Sequence, residues 1–314
     1  MLLAPLRKRP ENLSMKKLLC VFSFFLSLFI SKISYSQFCA GPESPTEFNS
    51  IENLIYKKDL GFDLYAPKNL SEKPLPVAMI IHGGAWVKGD RKEYRPLAQK
   101  LTSMGFAAVT VSYSLVTAEG GRFPVPVEDL RCALKTLKKN RNLFNLNTDR
   151  IVTIGFSAGA HLAAEIGLTA NNQKFSDIEC PVQDFEPDVH GVVAYYGPYD
   201  LTNLDGLDAL QTSLVVNFLG IHPFLAPSLA MWASPKAQVK KQKIPFYLVH
   251  AQNDDLVPVR SSREFSQTLA QKNVPFRYVE ISEGAHTLKL FDDRPFAQEA
   301  TCGALEYLNN FLTQ

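Results

Sequence analysis

Along most of the chain, short apolar runs alternate with segments in which apolar residues recur every three or four positions, the spacing of one helical face. Segments 51–56 and 60–65 read as two strands of a hairpin, and 77–81 is a continuous apolar run suited to a buried strand. Further strands are predicted at 106–113, 151–156, 192–196, 246–250 and 276–281. Helical spacing covers 94–104, with Gly105 as its stop, and 126–139, where Val127, Leu130, Leu134 and Leu137 share a face. Segments 158–169, 261–271 and 297–312 complete the helices. This alternation predicts an α/β fold: a mostly parallel central sheet of about eight strands with helices on both faces and the hairpin as an antiparallel edge. Residues 37–50, rich in Pro, Gly and Ser, read as an exposed lead-in. The stretch 200–243 lacks a strand pattern but holds Phe218, Phe224 and Trp232, and is expected to be a cap-like helical insertion in a catalytic domain spanning 51–314.

The first 36 residues break the pattern. Met15-Lys16-Lys17 is followed by an apolar run over 18–30 and then by small and polar residues up to Ser36. That layout predicts a signal peptide cut before Gln37, with residues 1–14 as an upstream extension. The run is short of the roughly 20 residues a bilayer span needs, so a retained anchor is the weaker reading. Phe38 stands before Cys39 where a lipid-attachment site would place a small residue. An exported protein, periplasmic or extracellular, is expected, with no stable membrane insertion after cleavage.

Removing that segment changes the charge. The full 314 residues carry 33 Lys and Arg against 31 Asp and Glu, a formal +2. Residues 37–314 keep 27 of those basic and 30 of those acidic side chains, a net −3. Nothing in that balance suggests a nucleic-acid partner. Cys39, Cys132, Cys180 and Cys302 remain, an even number for an oxidising compartment, and at least one disulfide is expected among three possible pairings. Alternatively Cys132, inside a helical apolar pattern, is a buried small hydrophobe. No Cys/His spacing suits a metal, and none is expected. The oligomeric state is not legible.

The most informative segment joins strand 151–156 to helix 158–169 through Gly155-Phe156-Ser157-Ala158-Gly159. Glycines on both sides of a serine permit the sharp turn that lifts its hydroxyl above a strand end, with the helix N-terminus behind it. Upstream, strand 77–81 runs into His82-Gly83-Gly84-Ala85-Trp86, whose glycines expose backbone N–H groups. These, with the N–H of Ala158, are candidates to hold an oxyanion, while His82 is expected to brace the turn. A serine needs a base oriented by a third group. His286, in Glu283-Gly284-Ala285-His286 after a strand, is the candidate base; His161, on the helix behind Ser157, reads as structural, and His250 as a brace for the loop after its strand. In that loop Asp254 is the favoured acid, with adjacent Asp255 and with Asp200 as rivals.

The succession HGGAW, GFSAG, the Asp254 loop and GAH resembles the α/β-hydrolase superfamily over about residues 51–312. It is similar to the carboxylesterase branch containing hormone-sensitive-lipase-like and bifunctional feruloyl/acetyl-xylan esterases. That resemblance implies an α/β-hydrolase fold and a triad of Ser157, Asp254 and His286. The family's acid loop commonly reads HGxxDxxVP; His250, Asp254, Val257 and Pro258 match it, while Ala251 replaces the glycine. It also implies oxyanion donors at Gly84 and Ala85, with Gly83 giving the turn its room. The fourth residue of HGGA, Ala85, is closer to the xylan-esterase and kynurenine-formamidase-like groups than to the lipase-like HGGG. The expected activity is hydrolysis of a small-molecule or polysaccharide-linked ester without a cofactor. An amide hydrolase is the alternative, and a non-catalytic binding protein on the same scaffold a remoter one. The short lead-in leaves no room for an N-terminal helical cap, so an open cleft is expected, roofed by 200–243 and by Trp86 as a substrate-binding residue.

Overall fold

A computed structural model describes residues 40–69, 72–175 and 177–313. The export segment expected over 1–36 and Cys39 lie outside the described residues. Among those described, eight strands form one sheet: β1 (Phe48–Lys57), β2 (Leu60–Pro67), β3 (Leu75–Ile81), β4 (Ala107–Val111), β5 (Leu146–Phe156), β6 (Gly191–Tyr195), β7 (Phe246–Ala251) and β8 (Phe276–Ile281). Their spatial order is β1-β2-β4-β3-β5-β6-β7-β8. The β1–β2 hairpin and its pairing with β4 are antiparallel, and every other pairing is parallel. β1 starts at Phe48, three residues earlier than the lead-in composition suggested.

The helices are α1 (Arg95–Ser103), α2 (Val125–Lys139), α3 (Ala158–Thr169), α4 (Ala209–Leu219), α5 (Pro227–Trp232), α6 (Pro235–Gln238), α7 (Arg260–Gln271) and α8 (Gln298–Thr313). Side chains alternate along each strand, so a strand covered on both faces must be apolar throughout. Val77, Met79 and Ile81 of β3 accordingly pack with Leu130 and Leu134 of α2 and Ala160 of α3 on one face. Ala78 and Ile80 face the other way, in a cluster with Leu101 of α1 and Leu308 of α8. α7 is amphipathic and buries Phe265 and Leu269. The helix expected from residue 94 begins at Arg95, preceded by a short 3-10 turn that Asp90 caps by accepting from the Lys92 N–H.

Cys132 on α2 is disulfide-bonded to Cys180, which selects one of the open pairings. Beside it Lys57 Nζ lies 2.8 Å from Asp129 Oδ1 and 2.7 Å from Asp177 Oδ2, tying the end of β1 to α2 and to the loop carrying Cys180.

Between β6 and β7 the chain forms α4, α5 and α6, the helical content expected over 200–243. Asp208 starts α4 through a capping box with Gln211, and Gly220, at φ 76°, ends it. From 209 to 235 the sequence contains no Lys, Arg, Asp or Glu. Its inward side chains, Val215, Phe218 and Leu219, are buried, while Leu210, Phe224, Leu225 and Met231 are exposed.

Candidate active site

Parallel strands put all their C-terminal ends on one edge of the sheet, where ligand sites of open α/β folds are built. Here that edge carries His82 to Trp86 after β3, Ser157 after β5, Tyr196 after β6, Asp254 after β7 and His286 after β8.

Ser157 occupies φ 54°, ψ −120°, a left-handed conformation costly for a residue with a side chain. The turn is feasible because its neighbours lack Cβ atoms. A Cβ on Gly155 would stand 2.1 Å from the carbonyl oxygen of Gly159, and one on Gly83 would stand 2.8 Å from that of Phe156. The Ser157 N–H is held by the Tyr195 carbonyl at 2.9 Å. Strand, turn and helix thus fix the hydroxyl above the sheet edge.

His286 Nε2 lies 2.7 Å from Ser157 Oγ, and its Nδ1 lies 2.8 Å from Asp254 Oδ2 and 3.0 Å from Oδ1. A carboxylate only accepts, so Nδ1 carries the proton and Nε2 is free to accept from the serine hydroxyl. Burial by itself would push the Asp254 carboxyl up. Hydrogen bonds from His250 and His286, the charge of His286 and the Val257 N–H outweigh it and hold the group well below the usual carboxylate range. Asp254 Oδ1 also accepts from the N–H groups of Leu256 and Val257, at 3.0 and 2.8 Å.

His250 is fully buried. Its Nε2 is 2.8 Å from the Val257 carbonyl and 3.3 Å from Asp254 Oδ2, and its Nδ1 is 2.7 Å from Ser262 Oγ. Nε2 therefore carries its proton, and Ser262 donates to Nδ1. The rival acids are engaged elsewhere: Asp200 accepts from Thr202 and pairs with Lys236 at 3.0 Å, and Asp255 is exposed.

The turn after β3 has Gly84, Ala85 and Trp86 at φ 110°, 53° and 61°. The N–H groups of Gly84, Ala85 and Ala158 have no protein acceptor among the described residues, whereas that of Gly83 points at Tyr94 Oη, 3.5 Å away. His82 braces the turn, its Nδ1 2.8 Å from the Gly83 carbonyl and its ring stacked on Tyr113. His161 is wholly buried, with Nε2 donating to the Ala233 carbonyl at 2.8 Å; burial pulls it down to about 4, so it is neutral.

Trp86 does not roof an open cleft. It is 3% exposed, stacks on Phe218 at 4.3 Å between ring centres and meets His161 edge-on. It forms the wall of an apolar pocket of about 60 Å³ beside Ser157, closed by Leu207, Leu214 and Val215 of the cap. The reason is packing: a ring of that size, entering a left-handed turn, finds the aromatic cap below it and not solvent. On the other side of Ser157 an open cleft of about 460 Å³ runs past His286, Tyr94 and Tyr196.

Tyr196 is a site residue the sequence did not single out. Its ring lies 4.4 Å from that of His286, and its Oη donates to the Leu288 carbonyl at 3.0 Å. Its only sequence signal was an aromatic residue directly after a strand end, shared with many core positions.

The sequence profile of the BD-FAE family matches residues 62–269. Esterase LipC of Mycobacterium tuberculosis (strain ATCC 25618 / H37Rv) is 30% identical over 239 residues, which is 73% of this chain and 57% of LipC. Esterase LipQ of the same organism is 29% identical over 218 residues, 68% of this chain and 51% of LipQ. The chain thus spans about half the length of these curated relatives. Among solved structures, a truncated form of a carbohydrate esterase from gut microbiota superposes with a TM-score of 0.72 at 22% identity, covering 87% of this chain and all of that one. The profile match covers the β3 turn, the Ser157 elbow and the Asp254 loop, and the chain belongs to the BD-FAE family of the α/β-hydrolase superfamily.

Proposed function

We propose that the protein is a serine carboxylesterase that hydrolyses short-chain or carbohydrate-linked esters through an acyl-enzyme. The observation that carries this reading is the hydrogen-bonded line from Ser157 through His286 to Asp254, with contacts of 2.7 and 2.8 Å. Ser157 Oγ attacks the ester carbonyl as His286 Nε2 takes its proton. Asp254 keeps the imidazole in the required tautomer and stabilises its cation. The developing oxyanion is held by the N–H groups of Gly84, Ala85 and Ala158, each such donor contributing about 100- to 1000-fold in rate. The imidazolium then protonates the departing alkoxide. Water, deprotonated by the same nitrogen, attacks the acyl-enzyme and frees the acid and Ser157. No step requires a cofactor.

The apolar pocket of about 60 Å³ beside Ser157 supports a short acyl half. The esterase names of LipC and LipQ and the carbohydrate-esterase neighbour support the bond class. The Cys132–Cys180 disulfide supports an exported protein, because such bonds persist in oxidising compartments. Among the described residues no helix is long and apolar enough to cross a membrane.

The test is a series of p-nitrophenyl esters from acetate to palmitate, run beside acetylated xylan, methyl ferulate and N-formylkynurenine. Activity confined to short acyl esters and lost in Ser157→Ala is the expected result. Full turnover by Ser157→Ala, or selective cleavage of the formamide, would replace the reading.

A further inference from the structure

The open cleft beside Ser157 shares Glu93, Tyr94, Phe156 and Tyr196 with a second groove of about 480 Å³, which runs between α1 and the loop following His286. The two sides of the nucleophile differ in kind. The cap side is a small apolar pocket, suited to the acyl half of an ester. The other side is larger, open and of mixed polar and apolar lining, and leads away from His286, the group that protonates the departing alcohol. The alcohol half therefore occupies this second side.

Its charge is unlike that of the rest of the chain. Lys88 lines the catalytic cleft, and Lys100 and Lys289 line the groove beyond; Glu93 is the one acidic residue lining either. None of these lysines has an ion-pair partner among the described residues. The nearby Asp292 carboxylate, buried beside the groove, is already taken by Arg294. With two lysines against Glu93 the outer groove has an excess of positive charge, in a chain whose residues 37–314 carry a net −3, and so a local field opposite to the chain's overall charge. The rings of Tyr94 and Phe156, stacked with 5.3 Å between centres, line both spaces and give them an aromatic wall for a sugar.

Resting on the serine-esterase reading, we infer that the alcohol half of the preferred substrate is anionic, an acylated sugar that carries a carboxylate, as in a uronic-acid glycoside. Lys100 and Lys289 draw the carboxylate outward along the groove while the acylated hydroxyl stays at Ser157.

The test compares acetate release from acetylated methyl glucuronoside and acetylated methyl glucoside, which differ in a carboxylate against a hydroxymethyl group. The expected wild-type result is a kcat/KM higher for the glucuronoside by about 3- to 10-fold, expressed mainly in KM, and reduced towards parity in about 0.5 M salt. Lys100→Gln with Lys289→Gln should abolish the preference, and Lys100→Glu with Lys289→Glu should reverse it. Equal rates, a preference for the neutral glycoside, or a ratio unchanged in both double variants would overturn the inference. So would turnover of p-nitrophenyl acetate with neither glycoside cleaved. Failure on all three substrates would instead overturn the esterase reading, and this inference with it.

Discussion

Gly159 and Ile81 meet backbone to backbone: a Cβ added at Gly159 would stand 2.2 Å from the Ile81 carbonyl oxygen and 2.6 Å from that of His82. The start of α3 is therefore pressed against the end of β3, and this contact sets the spacing between the Ser157 hydroxyl and the N–H groups of Gly84 and Ala85. Gly159→Ala must push the two apart. Overpacking of this kind costs about 1–3 kcal/mol, and the catalytic loss should exceed what that destabilisation implies. Denaturant titration beside p-nitrophenyl acetate kinetics measures both; a variant of normal kcat would contradict the account.

The acid assignment separates three aspartates by geometry. Asp254→Asn leaves a side chain of the same shape but allows His286 the wrong tautomer, and kcat should fall by about 10⁴-fold. Asp200→Asn breaks contacts to Thr202 and Lys236 only, and Asp255 is exposed. Both of those variants should stay within a few-fold of the parent enzyme. A large loss in Asp200→Asn with activity retained in Asp254→Asn would reverse the assignment.

Tyr196→Phe removes the 3.0 Å hydrogen bond to the Leu288 carbonyl while keeping the ring beside His286. The loop bearing the base loses an anchor worth about 1 kcal/mol. The expected signature is a several-fold lower kcat with KM nearly unchanged. An unaltered kcat would assign Tyr196 to packing alone.

Much of this arrangement is legible in the sequence. Strands such as 77–81 and 151–156 announced themselves because a parallel strand covered on both faces must be apolar at every position. Ser157 was readable from its glycines, since only residues without a Cβ fit where Gly155 and Gly159 stand. For Trp86 only the direction differs from expectation, because sequence shows that an aromatic residue follows the turn but not which way a left-handed backbone aims it. Tyr196 is invisible for a related reason, since its contact with His286 needs the loops after β6 and β8 side by side, and so is the pairing of Lys100 on α1 with Lys289 after β8, which only the folded chain brings to one groove.

Glu165, eight positions past Ser157 on α3, is fully buried, and neither of its oxygens has a partner among the described residues. Burial raises its carboxyl well above the ordinary value of 4.5. The native state therefore keeps a proton that the unfolded chain releases. This contribution to stability is fully present below about pH 4.5 and is lost as pH rises towards the raised folded value, by up to about 1.4 kcal/mol per pH unit. Glu165→Gln removes that dependence, so the Tm of the variant relative to the parent should climb with pH across the window. A constant difference would show that Glu165 is not held as the neutral acid.

The Cys132–Cys180 bond closes a loop with a sequence separation of 48. In the chain-entropy treatment a loop of that length corresponds to about 4 kcal/mol. The double variant Cys132→Ala, Cys180→Ala should lose stability of that order in denaturant titration. Stability equal to the parent would mean that the Lys57–Asp129–Asp177 contacts hold the segment unaided.

The cap has a consequence for how such an enzyme can diversify. It leaves the sheet after β6 and returns at β7, and those strands pair directly with each other, Val192 opposite Phe246. The two attachment points are thus fixed by the sheet and indifferent to what is hung between them. Leu207, Leu214 and Val215, which form one side of the apolar pocket beside Ser157, belong to that hanging segment, while Ser157, Asp254 and His286 lie outside it. On the proposed reading, one wall of the acyl pocket and the reacting groups are carried by separable stretches of the chain. Insertions, deletions or exchange within 200–243 can redraw that wall across generations while the Ser157–His286–Asp254 geometry is inherited intact.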